Sequence, residues 1–231
     1  MSRSTSKHAT SRRGFIETVA TGAAVLGLSG LVSPLDAQAM GNASSISSAE
    51  AWFDKIKGKH RMVFDATRPH SVLPFAWPRV FLMTNKQTGS DEKECTAMVI
   101  LRHDAIPYAM NSDLWKKYNF GDVFKAEDPA TKAASVRNPF WQPKAGDFKI
   151  PGVGPVAIGI NELQDSGVLF GVCDVALTVN SAAVAESMKL NAEEVKKEWV
   201  AGVLPGIQIV PSGVWAISRA QEHGCSYCFA G

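Results

Sequence analysis

Gly167-Val-Leu-Phe-Gly-Val-Cys173-Asp-Val-Ala-Leu-Thr178 is the stretch on which the reading of the fold turns. Val168 to Val172 is a short apolar run, rich in β-branched and aromatic residues, behind the turn signal Asp165-Ser166-Gly167. Such a run reads as a fully buried strand. Val175 to Leu190 has the composition of a helix, which leaves Cys173 at a strand-to-helix junction. In open α/β sheets that edge is where ligands and reacting groups gather, and the positive end of a helix dipole there favours a thiolate. Cys173 is therefore the first candidate for chemistry. The competing reading is a small apolar side chain that only fills the core.

Outward from this centre, Arg61 to Asp65, Cys95 to Leu101 and Gly206 to Val210 read as further strands. Helices are expected from Ala49 to Ile56 with Ser48 as cap, and from Phe75 to Lys86 with Pro78 in the first turn. Others fall at Asn111 to Tyr118, Val156 to Gln164 and Asn191 to Ala201, the last opened by the capping pattern Asn191-Ala-Glu-Glu194. A final helix starts at Pro211-Ser212, shows Val214, Ile217 and Gln221 on one face, and stops at Gly224. Strand and helix alternate four times with no hairpin signal, and parallel strands need crossover connections. The expected fold is therefore α/β, a three-layer sandwich around a mostly parallel sheet. Pro107 to Pro155 interrupts the alternation with six prolines and little periodicity. Trp115, Phe120, Phe124, Phe140 and Trp141 mark this insertion (107–155) as ordered, either a lid or an oligomer contact.

Charge and the N-terminal residues bear on location and partners. Residues 1–39 hold four basic and two acidic residues, and the remainder holds 20 of each. A neutral body gives no reason to expect nucleic acid as partner. Ser11-Arg12-Arg13-Gly14-Phe15-Ile16, the mildly apolar stretch Thr18 to Val32, and Ala37-Gln38-Ala39 follow the order of a twin-arginine export signal with its cleavage site. The expectation is a chain passed folded through the twin-arginine machinery to the periplasm or another extracytoplasmic space. No other long apolar run follows, so no stable membrane span is expected after cleavage. The domain reading is a signal at 1–39, a spacer with a short helix at 40–60, and an α/β domain at 61–231.

Three stretches together resemble a known family. They are Phe170-Gly-Val-Cys173-Asp-Val-Ala-Leu177, Leu204-Pro-Gly-Ile-Gln-Ile-Val-Pro-Ser-Gly-Val-Trp-Ala-Ile217 and Gln221-Glu-His-Gly-Cys-Ser-Tyr-Cys228. The chain resembles the DsrE/DsrF-like sulfur-relay proteins from about Arg61 onward. That resemblance implies a flavodoxin-like α/β sandwich that assembles as a homo-oligomer. It also implies a strand-ending cysteine, here Cys173, that carries sulfur as a persulfide between a donor and an acceptor protein. Small members lack the proline-rich insertion and the Cys225-Ser-Tyr-Cys228 tail, and the cytoplasmic relays have no export signal.

Other residues compete for a role. Cys225 and Cys228 read as a structural or redox disulfide, as half of a metal site with His223, or as a resolving pair for Cys173. Phe229 stands where a c-type haem would need histidine. No cofactor is assigned, and a metal stays open. His70 and His103 fall on the same predicted strand edge as Cys173 and are candidates to orient its thiolate. Gly152-x-Gly154-x-x-Ala157 with Asp174 imitates a dinucleotide fingerprint, but Pro151 breaks the strand-to-glycine turn that motif requires. The alternative to sulfur transfer is a non-catalytic oligomeric binding module whose tail cysteines form a disulfide or hold a metal.

Overall fold

The computed structural model describes residues 43–150, 152 and 154–231, so the twin-arginine stretch lies outside the described residues. The elements run α1 (Ala43–Trp52), β1 (His60–Ala66), α2 (Leu73–Gln87), β2 (Cys95–Leu101), α3 (Ser112–Lys117) and α4 (Phe120–Val123). They continue with β3 (Lys149–Ile150), β4 (Gly154–Pro155), α5 (Ile160–Asp165), β5 (Leu169–Cys173), α6 (Asp174–Met188) and α7 (Ala192–Ala201). The chain closes with β6 (Ile207–Val210), α8 (Gly213–Glu222) and β7 (Ser226–Phe229). Five strands form one sheet in the order β6-β5-β2-β1-β7, every pair parallel, and β3 with β4 makes a small antiparallel ribbon.

Strand order decides which helices cover which face. From β1 through β2 and β5 to β6 the chain steps across the sheet in one direction, so its right-handed crossovers fall on one side. Phe64, Val99, Phe170 and Val172 pack there with Ala176, Leu177 and Ala185 of α6. From β6 to β7 the chain steps back to the opposite edge, and the same handedness sends α8 to the other side. Val63, Met98 and Ile100 meet Ala216 and Ala220 of α8 there, together with Trp52 of α1. The result is the α/β three-layer sandwich. At Gly171 an added Cβ would lie 3.1 Å from both the Trp52 ring and Ile100, so the missing side chain lets α1 close on the sheet.

Several expectations change. The insertion is not a lid: Trp115, Phe120 and Phe140 are fully buried, and Phe140 stacks on Phe75 at 4.1 Å. The Asn138 amide donates to the carbonyls of Tyr108 (2.8 Å) and Met110 (2.9 Å). Opening this segment would expose three large rings at roughly 1.5–3 kcal/mol each, more than a gating motion can spend. Ser48 lies inside α1 instead of capping it, and Pro78 lies inside α2 beyond its first turn. α5 spans Ile160–Asp165, shorter than the helix expected from Val156. α8 buries Gly213, Ala216 and Ala220 while Val214 is 63% exposed, so its inner face is offset from the expected one. Asn191 does cap α7, accepting from the N–H groups of Glu193 and Glu194. The tail that follows Gly224, given no element in the sequence reading, adds the fifth strand β7 against β1.

Candidate functional site

Cys173 ends β5 and is the N-cap of α6. Its Sγ accepts a hydrogen bond from the Ala176 N–H at 3.3 Å, one of the free donors at a helix start. The residue is buried, with 6% of its surface exposed. Its position across the sheet is informative. β5 feeds α6 on one face, while its neighbour β6, paired at Cys173↔Val210, feeds α8 on the other. Adjacent strands whose connections leave to opposite faces define a topological switch point, where α/β proteins open a crevice for ligands. Beside the sulfur, the Asp174 carboxylate is neutralised by Lys196 of α7, with Nζ 3.2 Å from Oδ1.

A polar network that the sequence did not signal occupies the same carboxyl-terminal edge. Asp65 of β1 is 1% exposed and takes a bidentate pair of hydrogen bonds from Arg102, Nε at 2.7 Å and Nη2 at 2.8 Å. The Tyr227 hydroxyl of β7 donates to Asp65 Oδ2 at 2.8 Å. Hydrogen bonding to Asp65 raises the Arg102 pKa, whereas Tyr227 is raised first by burial and then by that carboxylate. Arg102 directly follows Leu101, the register partner of Val172, and therefore stands level with Cys173 on the neighbouring strand. Gly213 at the start of α8 is what admits its stem, since an added Cβ would fall 2.6 Å from Arg102 Cβ. An aspartate near a strand end and an arginine after another are too ordinary as sequence features to have been paired in advance.

The other expected residues do not gather at Cys173. His103 is 69% exposed in its side chain, with Nδ1 3.1 Å from Asp104, and His70 packs against Gly231 beyond β1. Neither imidazole hydrogen-bonds to Cys173, so the thiolate-orienting role expected for them is corrected to loop and surface positions. Cys225 packs on the α8 side of the sheet and Cys228 on the α6 side. Three residues of extended chain separate them by about 10 Å, and opposite faces turn their side chains apart. A disulfide needs Cα atoms closer than about 7 Å, so neither a shared disulfide nor a shared metal site forms here. β7 also lies three strands from β5, about 14 Å at the usual strand spacing, which removes the tail as an intrachain resolving pair for Cys173. His223 stacks on Phe53 at 5.7 Å, and among the described residues no group of three His, Cys, Asp or Glu side chains is arranged to hold a metal.

Burial pushes the Cys225 thiol from 9.0 up to about 11, with Arg61 opposing. A raised folded-state value means that the folded chain holds this proton after the unfolded chain has released it. Stability from Cys225 is thus complete below the unfolded value and falls away as pH rises from about 9 to 11. Urea titrations across that window should show the natural chain losing more stability than Cys225→Ala; parallel pH profiles would contradict this.

No protein-family model matches the chain, and no curated protein matches it. Among solved structures, a protein of unknown function from Methanobacterium thermoautotrophicum is similar at 16% identity. The match covers 74% of this chain and 98% of that one, with a TM-score of 0.34.

Proposed function

We propose that this chain is an exported sulfur-handling protein of the DsrE-like type, which binds or transfers sulfane sulfur as a persulfide on Cys173. The observation that carries the reading is the place of Cys173, at the switch point between β5 and β6 with a helix-start N–H aimed at its sulfur. A persulfide is anionic and soft, and a helix N-terminus is suited to negative charge. In the proposed step the Cys173 thiolate attacks the outer sulfur of a donor persulfide. A new S–S bond forms, the donor S–S bond breaks, and its electron pair leaves with the donor thiolate. No outside oxidant or reductant is required, and a partner thiol reverses the step to accept the sulfur.

The same reading takes the chain to be periplasmic, delivered by the twin-arginine machinery, and homo-oligomeric. Val179, Val214 and Phe229, exposed by 61%, 63% and 52%, offer apolar surface for assembly. No described helix is long and apolar enough to cross a membrane. The alternative of a binding module stapled through Cys225 and Cys228 loses support from the geometry of β7.

Incubation of the folded chain with polysulfide, followed by intact-mass measurement, should add about 32 Da, one sulfur atom, reversibly with dithiothreitol. An unchanged mass at full folding would end the proposal.

A further inference from the structure

A second concave surface lies where the loop leaving β1 meets the insertion. A cavity of about 230 Å³ is lined there by His70, Ser71, Tyr108, Lys125, Glu127 and Lys132, among others. Pockets for drug-sized ligands run from about 300 to 1,000 Å³, so this one suits a ligand of few atoms.

Three observations point to the ligand's chemistry. The Tyr108 ring is buried, and its hydroxyl, which makes no hydrogen bond to protein among the described residues, is not enclosed but left open where the residue lines the cavity. Its ring is fixed edge-on by Phe75 and Phe140, each at 5.3 Å. Burial also holds this phenol protonated, well above its ordinary range, so it is a hydrogen-bond donor. Second, Lys125 and Lys132 line the cavity and enter no ion pair among the described residues, which leaves two ammonium groups against the single carboxylate of Glu127. Third, Ser71, Lys125 and Lys132 all hold left-handed backbone, with φ of 52°, 55° and 60°. That conformation is unfavourable for an L-residue, and such strain clusters at ligand sites.

We propose that this cavity binds a small tetrahedral oxyanion, whose oxygens accept from the Tyr108 hydroxyl and the Lys125 and Lys132 ammonium groups. The ligand class is shared by inorganic phosphate and by the oxyanions of sulfur. The site is independent of any role for Cys173.

Calorimetric titration of the folded chain with sodium phosphate, sulfate and thiosulfate, each at the same ionic strength, tests it. Saturable one-site binding of at least one anion is expected, and the anion preferred identifies the source. Tyr108→Phe should weaken that binding about tenfold, the worth of a hydrogen bond to a charged group. Its unfolding midpoint should not move, because the hydroxyl has no protein partner to lose. Lys132→Met should weaken binding as well, and Glu127→Gln should tighten it. Absence of saturable binding for all three anions, or affinities unchanged in Tyr108→Phe and Lys132→Met, would overturn the assignment.

Discussion

Asp65→Ala is expected to destabilise the fold by about 3 kcal/mol, the lower end of the range for breaking a buried ion pair. The carboxylate is 2% exposed in its side chain and holds both Arg102 and Tyr227; Arg102, at 28%, keeps some water, which moderates the cost. Deleting Asp65 leaves the guanidinium without its two acceptors beneath α8, where Gly213 makes room for its stem but offers no replacement side chain. The effect belongs to the pair and not to the acid alone. Urea unfolding of Asp65→Leu combined with Arg102→Met should therefore recover most of the loss, since replacing both partners by apolar groups avoids a stranded charge. A single-variant loss under about 1 kcal/mol would class the pair with exposed surface salt bridges, whose contribution is small.

Cys173→Ser is expected to abolish sulfur loading from polysulfide, while Cys225→Ser with Cys228→Ser loads at the natural rate. Serine keeps the shape and the N-cap role of the residue but has no sulfur on which a persulfide can form. Burial raises the thiols of Cys225 and Cys228, and also that of Cys95, where nearby carboxylates add to the effect. All three therefore stay protonated near neutral pH, and the thiol form is the poor nucleophile. Loading that survives Cys173→Ser and disappears with the tail cysteines would move the carrier to β7.

The sheet was legible where burial and period agreed. Val168–Val172 and Cys95–Leu101 are central strands buried on both faces, so they read as unbroken apolar runs, and both appear as β5 and β2. β7 was not legible because it is an edge strand of four residues whose pairing with β1 supplies what its composition does not. The placement of Cys225 and Cys228 on two faces follows from that strand alone, and a C-x-x-C weighed as a disulfide, metal or resolving pair does not reveal it. Cys173 was placed at the strand end by the glycine turn before it and the helix after it. Asp65, Arg102 and Tyr227 come from three elements far apart in sequence, and only the strand order brings them together. The aromatic rings of the insertion announce burial without naming their partners, which is why the sequence leaves both a lid and an oligomer contact open where the structure has a packed wall.

The account depends most on the sulfur of Cys173 being reachable in the folded chain. Brief treatment of the native, reduced protein with a small alkylating agent near neutral pH, followed by peptide mapping, measures this directly. The account predicts that the Cys173 peptide is labelled first and that prior loading with polysulfide shifts its mass by one sulfur atom. A Cys173 that stays unlabelled until urea unfolds the chain, while Cys95 or Cys228 reacts, would contradict it.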